Sequence, residues 1–304
     1  MSDLKGIVNI IKPAGATSFY MVKWVKRILD CKKAGHTGTL DPLAAGLLTV
    51  CLGRATKIIP FLPETKKEYI GQLTLGVTTD TLDREGQIIE ENEPGTISSR
   101  EIEQCFTDFT GTIEQIPPMY SAVKQGGTRL YIMARQGKTV KRKKRIVRIN
   151  QLELLNFNLP WIQFRVQCSP GTYIRSLVRD IGQKLGCGAF LSFLVRTVSG
   201  PFLLQKAYTL QEIENFSRKK KYDFLIPADE PLVMPRLYLK ETAHKKAING
   251  AFLVKEDFRD FKNLQVGTKA AVYDHNRNFI SINRIELTKE DEIICRPLRV
   301  FVRK

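Results

Sequence analysis

The spacing of apolar and polar side chains predicts a chain that mixes strands with amphipathic helices. Residues 6–11 form an apolar run typical of a buried strand, and residues 66–77 alternate as a half-buried strand does. Residues 18–30 and 172–185 repeat apolar side chains every three or four positions, which indicates helices. Further elements are predicted as strands at 147–155 and 161–168 and as a short helix at 98–109. Strands and helices therefore share the same part of the chain.

A different pattern follows a proline-containing linker at residues 227–231, which itself comes after a helix predicted at 209–226. Beyond the linker, short strand-like segments alternate with turns, one of them at residues 274–277. The predicted strands are 267–273, 278–285, 292–295 and 298–302. The tail is therefore expected to form a small β unit of its own.

The charge balance points to a polyanionic partner. The chain carries 48 Lys and Arg against 31 Asp and Glu, a formal charge of +17. Such an excess makes nucleic acid the first candidate, although charge alone does not separate RNA from DNA or from an anionic membrane. Residues 138–148 hold seven positive charges and no acid, within an excursion at residues 119–148. We expect a mobile loop that closes on nucleic acid; a merely solvated block is the alternative.

Cysteine and histidine usage argues against a metal site and for a reducing compartment. The six cysteines are scattered without a CxxC pair, several of them in apolar runs, and the chain has only three histidines. The start of the chain lacks the apolar core of a signal peptide, and no apolar run approaches the roughly 20 residues of a membrane span. We expect a cytoplasmic protein without a metal.

The segment at residues 35–48 combines three glycines with an Asp-Pro pair, Asp41 and Pro42. The proline fixes its own φ and disfavours the helical region for the residue before it, so Asp41 is expected on a stiff corner. An apolar run follows and indicates that the corner is rooted in a core. A carboxylate held this way suits catalysis, and an ordinary Asp-Pro turn is the alternative.

Several short motifs, in this order between residue 7 and about residue 202, together resemble the TruB family of tRNA pseudouridine synthases. The segment around Asp41 resembles the motif that contains the family's single catalytic aspartate. The matching segments are 12–18, 35–48, 53–57, 67–69, 75–81, 117–124, 129–135, 171–175 and 185–189. Each motif is weak alone, but the ordered set is specific.

The resemblance implies isomerisation of uridine to pseudouridine in RNA without a cofactor, most specifically at uridine 55 in the tRNA T loop. The target nucleotide must be flipped into a pocket because pairing and stacking hide its reacting atoms. Asp41 matches the essential carboxylate, which acts as nucleophile or base. Arg175 matches the arginine that fixes this carboxylate, and Tyr69 matches a tyrosine that stacks on the target base.

Further matches concern RNA binding. His36 matches the histidine that enters the RNA beside the vacated base position, and Tyr173 and Leu194 match other pocket residues. The residues expected to position phosphates are Lys12, Lys124, Arg142 and Lys143. The sequence departs from the family pattern at Ile11, Phe19, Phe190 and Val195. These departures concern local RNA contacts and substrate breadth.

The resemblance also implies an architecture. Residues 1–230 would form an α+β catalytic domain around a mixed, mainly antiparallel sheet, with residues 119–148 as an RNA clamp. Residues 231–304 resemble a PUA-like β-barrel, an RNA-binding module, although a purely structural β cap is an alternative. The expected partner is the tRNA T stem-loop, bound by a monomer that needs no other protein.

Three rival functions explain part of the sequence. A guide-RNA-dependent relative of the family would have a larger C-terminal region and no long clamp. A non-catalytic tRNA-binding or tRNA-folding protein would use the same basic surface but would not need Asp41, Tyr69 and Arg175 together. A generic DNA-binding protein explains the charge but none of the motifs.

Overall fold

The computed structural model describes residues 4–63, 66–261 and 264–302, and its strands form two principal sheets. The strands of the first part are β1 Gly6–Lys12, β2 Ala34–His36, β3 Ala45–Leu52, β4 Lys67–Leu75, β5 Val77–Thr79, β6 Ile88–Glu91, β7 Gly111–Gln115, β8 Lys124–Gln125, β9 Thr128–Arg129, β10 Arg145–Asn158, β11 Trp161–Cys168, β12 Ala189–Ser199 and β13 Phe202–Leu203. The later strands are β14 Arg236–Tyr238, β15 Leu253–Val254, β16 Lys269–Tyr273, β17 Phe279–Leu287 and β18 Ile293–Val300. The α-helices are α1 Ser18–Ile28, α2 Ser99–Asp108, α3 Leu130–Arg135, α4 Ile174–Lys184, α5 Leu210–Arg218 and α6 His244–Ile248. Short 3-10 helices span Gly53–Phe61, Leu204–Lys206, Glu241–Ala243 and Lys255–Asp257.

The larger sheet has the strand order β1-β3-β12-β4-β11-β10-β7, with β2 paired to β3 and β13 paired to β12. Only the short β12–β3 pairing is parallel among the described residues of this sheet. The predicted α+β fold with a mixed, mainly antiparallel sheet is therefore confirmed. No helix in the described ranges is long and apolar enough to cross a membrane.

Local signals explain where the helices begin. The Thr17 hydroxyl accepts from the amide of Tyr20 and caps α1. Ser98 forms a capping box with Glu101 at the start of α2, and Thr209 forms one at the start of α5. Their apolar sides join one core with the sheet. The helices predicted at 18–30, 98–109 and 172–185 are confirmed.

The second sheet runs in the order β14-β16-β17-β18-β15 and encloses its own apolar cluster. It is the small curled sheet expected of a PUA-like module. A further apolar cluster joins the two sheets, with Ile7 and Phe202 from the first and Ile282 and Phe301 from the second. The domain boundary at residue 231 stays a prediction.

Three of the predicted elements in the last third of the chain were wrong in extent. The strands expected at 292–295 and 298–302 form the single strand β18, because a bulge beside Pro297 lets the strand continue past a residue that lacks an amide hydrogen. The helix expected at 209–226 ends at Arg218, and Lys220 then takes a left-handed φ of 52° that a helix does not accept.

The basic block at residues 138–148 is also only partly a loop. Its last four residues begin β10, where Arg145 lies opposite Gln115 and Arg148 opposite Thr112 of β7. The pairing fixes one end of the block to the edge of the sheet. The clamp is therefore rooted in a strand.

Candidate active site

Asp41 lies in the loop between β2 and β3, and neighbouring segments fix this loop from both sides. The Ser18 hydroxyl accepts from the Leu40 amide at 2.8 Å and donates to the Leu40 carbonyl at 2.9 Å. The amide of Gly15 donates to the Pro42 carbonyl at 2.8 Å. Contacts to the residues before and after Asp41 therefore restrict the position of its carboxylate.

Lys12 is buried beneath this loop and does not occupy the position predicted for a phosphate-binding residue. Its ammonium group donates to the carbonyls of Pro13 at 2.8 Å, Ala16 at 2.6 Å and Pro42 at 3.3 Å. Burial lowers the pKa of Lys12 to about 8, although the charge of Asp41 opposes this shift. The amine holds loop carbonyls and its side chain has no exposure to solvent, which argues against a phosphate contact; the role of Lys12 in RNA binding stays a prediction.

Arg175, in the first turn of α4, binds Asp41. Its Nε lies 2.8 Å from Oδ2 of Asp41, while Nη1 and Nη2 donate to the carbonyls of Thr81 at 3.0 Å and Tyr120 at 2.9 Å. Arg175 is 4% exposed, whereas the Asp41 side chain keeps 34% exposure. A cation at a helix N-terminus opposes the helix dipole, and the carboxylate explains why one is placed there. The guanidinium thus orients Asp41 and leaves part of the carboxylate accessible.

Asp83 is a second carboxylate at Arg175 that sequence reasoning missed. Its Oδ2 lies 3.5 Å from Nη1 of Arg175, and its Oδ1 accepts from the Thr81 hydroxyl at 2.6 Å. Burial raises the pKa of Asp83, while the Thr81 hydrogen bond and the Arg175 charge lower it. The only sequence signal was a polar, turn-like stretch, which does not distinguish a buried acid from a solvated one.

Tyr69 lies on β4 and is nearly buried, directly opposite Arg196 of β12. Burial raises the pKa of Tyr69 to about 12, although the charge of Arg196 acts in the opposite direction. The phenol is therefore protonated at neutral pH. Its ring forms part of the wall of the same cavity as Asp41.

Arg196 is the other site residue that the sequence did not reveal. It has no solvent exposure, and it donates to the carbonyls of Leu47 at 2.9 Å, Thr39 at 3.3 Å and Gly38 at 3.2 Å. No carboxylate of the described chain pairs with it. An arginine within an apolar strand pattern was the available signal. Arg196 anchors both ends of the Asp41 loop.

A cavity of about 240 Å³ opens between these elements. Lys67 and several small polar and apolar residues line it together with five predicted residues: Asp41, Tyr69, Tyr173, Arg175 and Leu194. Carboxylate, phenol and guanidinium thus meet around a space whose walls are partly apolar. Such a site can bind a flat heterocycle and transfer protons, and its catalytic roles stay predictions.

His36 is close to this site but outside the cavity lining. It lies on β2 opposite Val50, and its buried Nδ1 has no hydrogen-bond partner. Burial lowers the pKa of His36, and the charges of Arg196 and Lys67 lower it further. The imidazole is therefore neutral at pH 7 and carries little of the charge needed to bind phosphate.

The remaining predicted RNA contacts belong to the clamp. Lys124, Arg142 and Lys143 line a separate groove of about 480 Å³, next to Lys144 and Arg145. Arg142 donates to the Pro117 carbonyl at 3.1 Å, which ties the clamp to the chain that enters it. These cations thus line a different groove from the cavity that Asp41 lines.

The described part of the chain contains no set of side chains suited to bind a metal ion. No group of three His, Cys, Asp or Glu side chains there is arranged to hold a metal ion. The six cysteines are free and buried, as their apolar sequence settings indicated.

Comparison with known proteins gives matches over nearly the whole chain. The model of the TruB family pseudouridylate synthase N-terminal domain matches residues 26–174, and that of the tRNA pseudouridylate synthase B C-terminal domain matches residues 175–233. A tRNA pseudouridine synthase B from Alkaliphilus oremlandii is 41% identical over 302 residues, covering 94% of this chain and 100% of that protein. One from Dehalococcoides mccartyi is 39% identical over 303 residues, covering 99% and 98%.

The fold agrees with solved structures. A crystal structure of a Cbf5-Nop10-Gar1 complex contains a chain that superimposes with a TM-score of 0.72 at 28% identity, covering 98% of this chain and 85% of that chain. The family-model matches and the relatives lead to one conclusion: the chain belongs to the TruB family of pseudouridine synthases.

Proposed function

We propose that the chain converts uridine 55 in the T loop of tRNA to pseudouridine, with Asp41 as the essential carboxylate. Family membership supports uridine isomerisation, and the names of the relatives support tRNA as the substrate. The observation that carries the aspartate assignment is the Asp41–Arg175 ion pair at the wall of the cavity.

The reaction is a rearrangement that balances without a cofactor. The bond between N1 of uracil and C1′ of ribose breaks, a bond between C5 and C1′ forms, C5 loses a proton and N1 gains one. Asp41 either attacks the ribose or removes a proton, and both roles need its negative charge. Arg175 holds the carboxylate in a fixed orientation because it is itself fixed by two main-chain carbonyls.

The cavity suits a flipped base. The Tyr69 ring and the Leu194 side chain would offer apolar surface to uracil in the cavity that Asp41 also lines. Tyr69 keeps its proton at neutral pH and so acts as a hydrogen-bond donor. Tyr173, at the N-terminal end of α4, also lines the cavity.

RNA binding would draw on several parts of the surface. Lys124, Arg142 and Lys143 of the clamp would bind phosphates, and His36 would contact the RNA beside the flipped base. Residues 231–304 would form the PUA-like RNA-binding domain, and residues 1–230 the catalytic domain. We infer that a monomer binds the T stem-loop, as the resemblance to the family implies.

The test is to incubate unmodified tRNA transcript with the protein and to map pseudouridine by position. We expect product at position 55 alone, and none in a transcript whose position 55 is cytidine. Tight binding of both transcripts without pseudouridine in either would contradict the proposal and indicate an RNA-binding protein or a different target RNA.

A further inference from the structure

The N-terminal end of α1 exposes two consecutive aromatic side chains. Phe19 is 66% exposed and Tyr20 is 57% exposed, while Met21, Trp24 and Val25 bury the opposite side of the helix. A single exposed apolar residue is ordinary, but two adjacent aromatic rings leave a large flat area in water. This pair is not needed for the core of the protein.

Cations surround the two rings. Lys23, Lys26 and Arg27 are exposed on the same helix, which contains no acid. Helical spacing places Phe19, Lys23 and Lys26 on one side, since they stand at i, i+4 and i+7. The ammonium of Lys23 lies 4.6 Å from the centroid of the Phe19 ring. An exposed cation–π pair of this kind stabilises a helix only weakly, so it does not by itself account for the aromatic pair.

The aromatic pair lies close to the proposed reaction centre. Phe19 follows Ser18, whose hydroxyl is bonded to Leu40 at 2.8 Å, and Leu40 precedes Asp41. With about 3.8 Å between consecutive Cα atoms, Phe19 and Asp41 are separated by no more than about 14 Å between Cα atoms. The hydrogen bonds between Ser18 and Leu40 make this separation fixed.

We infer that Phe19 and Tyr20 form a platform on which unpaired bases of the RNA stack, beside the flipped uridine, while Lys23 and Lys26 bind the adjacent phosphates. Aromatic rings interleaved with cations are the combination that single-stranded nucleic acid requires, because bases stack on rings and phosphates pair with cations. The inference rests on the proposed function only in taking RNA as the substrate.

The platform can be tested by measuring affinity for unmodified tRNA at several KCl concentrations. We expect Phe19→Ala and Tyr20→Ala each to weaken binding about tenfold at every salt concentration, with an unchanged slope of log Kd against log [KCl]. Lys23→Gln should instead reduce that slope by about 0.7, the value for one phosphate contact on a single strand. Phe19→Trp keeps an aromatic ring at this position and should therefore bind tRNA as the wild type does.

Trp161→Ala is the matched control because Trp161 is also an exposed aromatic residue, at 48%, and lies at the end of β11 far from Tyr69. It should bind tRNA as the wild type does. Position-specific 2-aminopurine in the loop should be quenched by wild-type protein and not by Phe19→Ala. Since both aromatic side chains are exposed, the variants are expected to keep the wild-type melting temperature.

The platform is refuted if Phe19→Ala and Tyr20→Ala bind like wild type, or if their loss of affinity comes with a reduced salt slope. These outcomes are independent of catalysis. Pseudouridine formation together with unaffected binding by the variants would overturn the platform alone. Weakened binding together with no pseudouridine formation by the wild type would overturn the proposed function and leave the platform supported.

Discussion

At the scale of single residues, the site depends on how many groups Arg175 holds at once. Its guanidinium binds Asp41 and the carbonyls of Thr81 and Tyr120, and Asp83 lies 3.5 Å away. Buried charges of both signs stabilise one another only when the geometry is good and every donor has an acceptor. Substitutions of Arg175 that alter its hydrogen-bond donors are therefore expected to slow catalysis strongly.

Replacing Arg175 by lysine keeps the positive charge and removes the planar set of donors. We expect Arg175→Lys to lower the single-turnover rate about 100-fold, because the carboxylate of Asp41 loses its fixed orientation. Rapid-quench measurement at saturating tRNA tests this. Arg179→Lys is the control, since Arg179 lies on the same helix and pairs with its neighbour Asp180. A rate for Arg175→Lys within about threefold of the wild-type rate would contradict the orienting role.

Asp83 gives a prediction for stability against pH. Burial raises the pKa of Asp83 above its value in the unfolded chain, so ionisation of Asp83 costs folding free energy as pH rises through the folded-state pKa. Wild type should therefore lose stability relative to Asp83→Asn as pH increases from about 4 to 7, measured by urea unfolding at each pH. If wild type instead gained stability relative to Asp83→Asn as pH increased, the ion pair with Arg175 would outweigh burial.

At the scale of elements, the loop between β2 and β3 is fixed by three separate segments. Ser18 holds Leu40 from α1, Lys12 holds Pro42 from the end of β1, and Arg196 holds the loop carbonyls from β12. Gly46, the second residue of β3 and just past the loop, has a φ of 102°, and a Cβ there would meet the Arg196 carbonyl oxygen at 2.5 Å. The strand that carries Arg196 therefore packs against the loop without intervening side chains.

Arg196→Met should destabilise the fold, although methionine fills roughly the same volume as the arginine side chain. Loss of the guanidinium leaves three carbonyls without a donor, so we expect a decrease of about 2–4 kcal/mol in the free energy of unfolding. Urea titration followed by tryptophan fluorescence measures this. Arg165→Met should cost less than about 1 kcal/mol, because its ion pair with Glu153 is exposed. Equal stabilities of the two variants would rule out the anchoring role.

The salt dependence of tRNA binding distinguishes two roles for Lys12, holding the loop and binding phosphate. Because its ammonium contacts only loop carbonyls, Lys12→Met should leave the slope of log Kd for tRNA against log [KCl] unchanged. Lys143→Gln in the clamp should reduce that slope by about 0.7. A reduced slope for Lys12→Met would restore the role in phosphate binding that the sequence suggested.

The elements also show what the sequence could and could not reveal. Helix starts at Thr17, Ser98 and Thr209 were predictable because capping residues act over three or four positions. The extent of β18 was not, because a bulge depends on the partner strand. The pairing of Arg175 with Asp41, 134 positions away, is a tertiary contact that no local pattern encodes.

Buried polar residues were the hardest to foresee. Lys12, Asp83 and Arg196 are residue types that normally face water, so composition and periodicity place them at the surface. Burial becomes visible only when the strands and loops around them are assembled. The family resemblance identified Asp41, Tyr69 and Arg175 but assigned Lys12 to phosphate and left Asp83 and Arg196 unmentioned.

At the scale of the whole molecule, one apolar cluster joins the two sheets, and the chain carries a large excess of positive charge. Ile7, Phe202, Ile282 and Phe301 pack together across the junction, so the smaller sheet is supported by the larger one. The net charge of +17 suits a long polyanion that reaches the cavity, the clamp and α1 at once. The proposed catalysis, in contrast, is assigned to the single carboxylate of Asp41 at the cavity wall.

The most direct test compares wild type with Asp41→Asn on unmodified tRNA. Asparagine keeps the shape and can still accept a hydrogen bond from Arg175, but it lacks the negative charge. We predict that Asp41→Asn binds tRNA within about threefold of the wild-type Kd and forms pseudouridine at least about 1,000-fold more slowly. Formation of pseudouridine at position 55 by Asp41→Asn at a rate close to that of the wild type would contradict the assignment of Asp41 as the essential carboxylate.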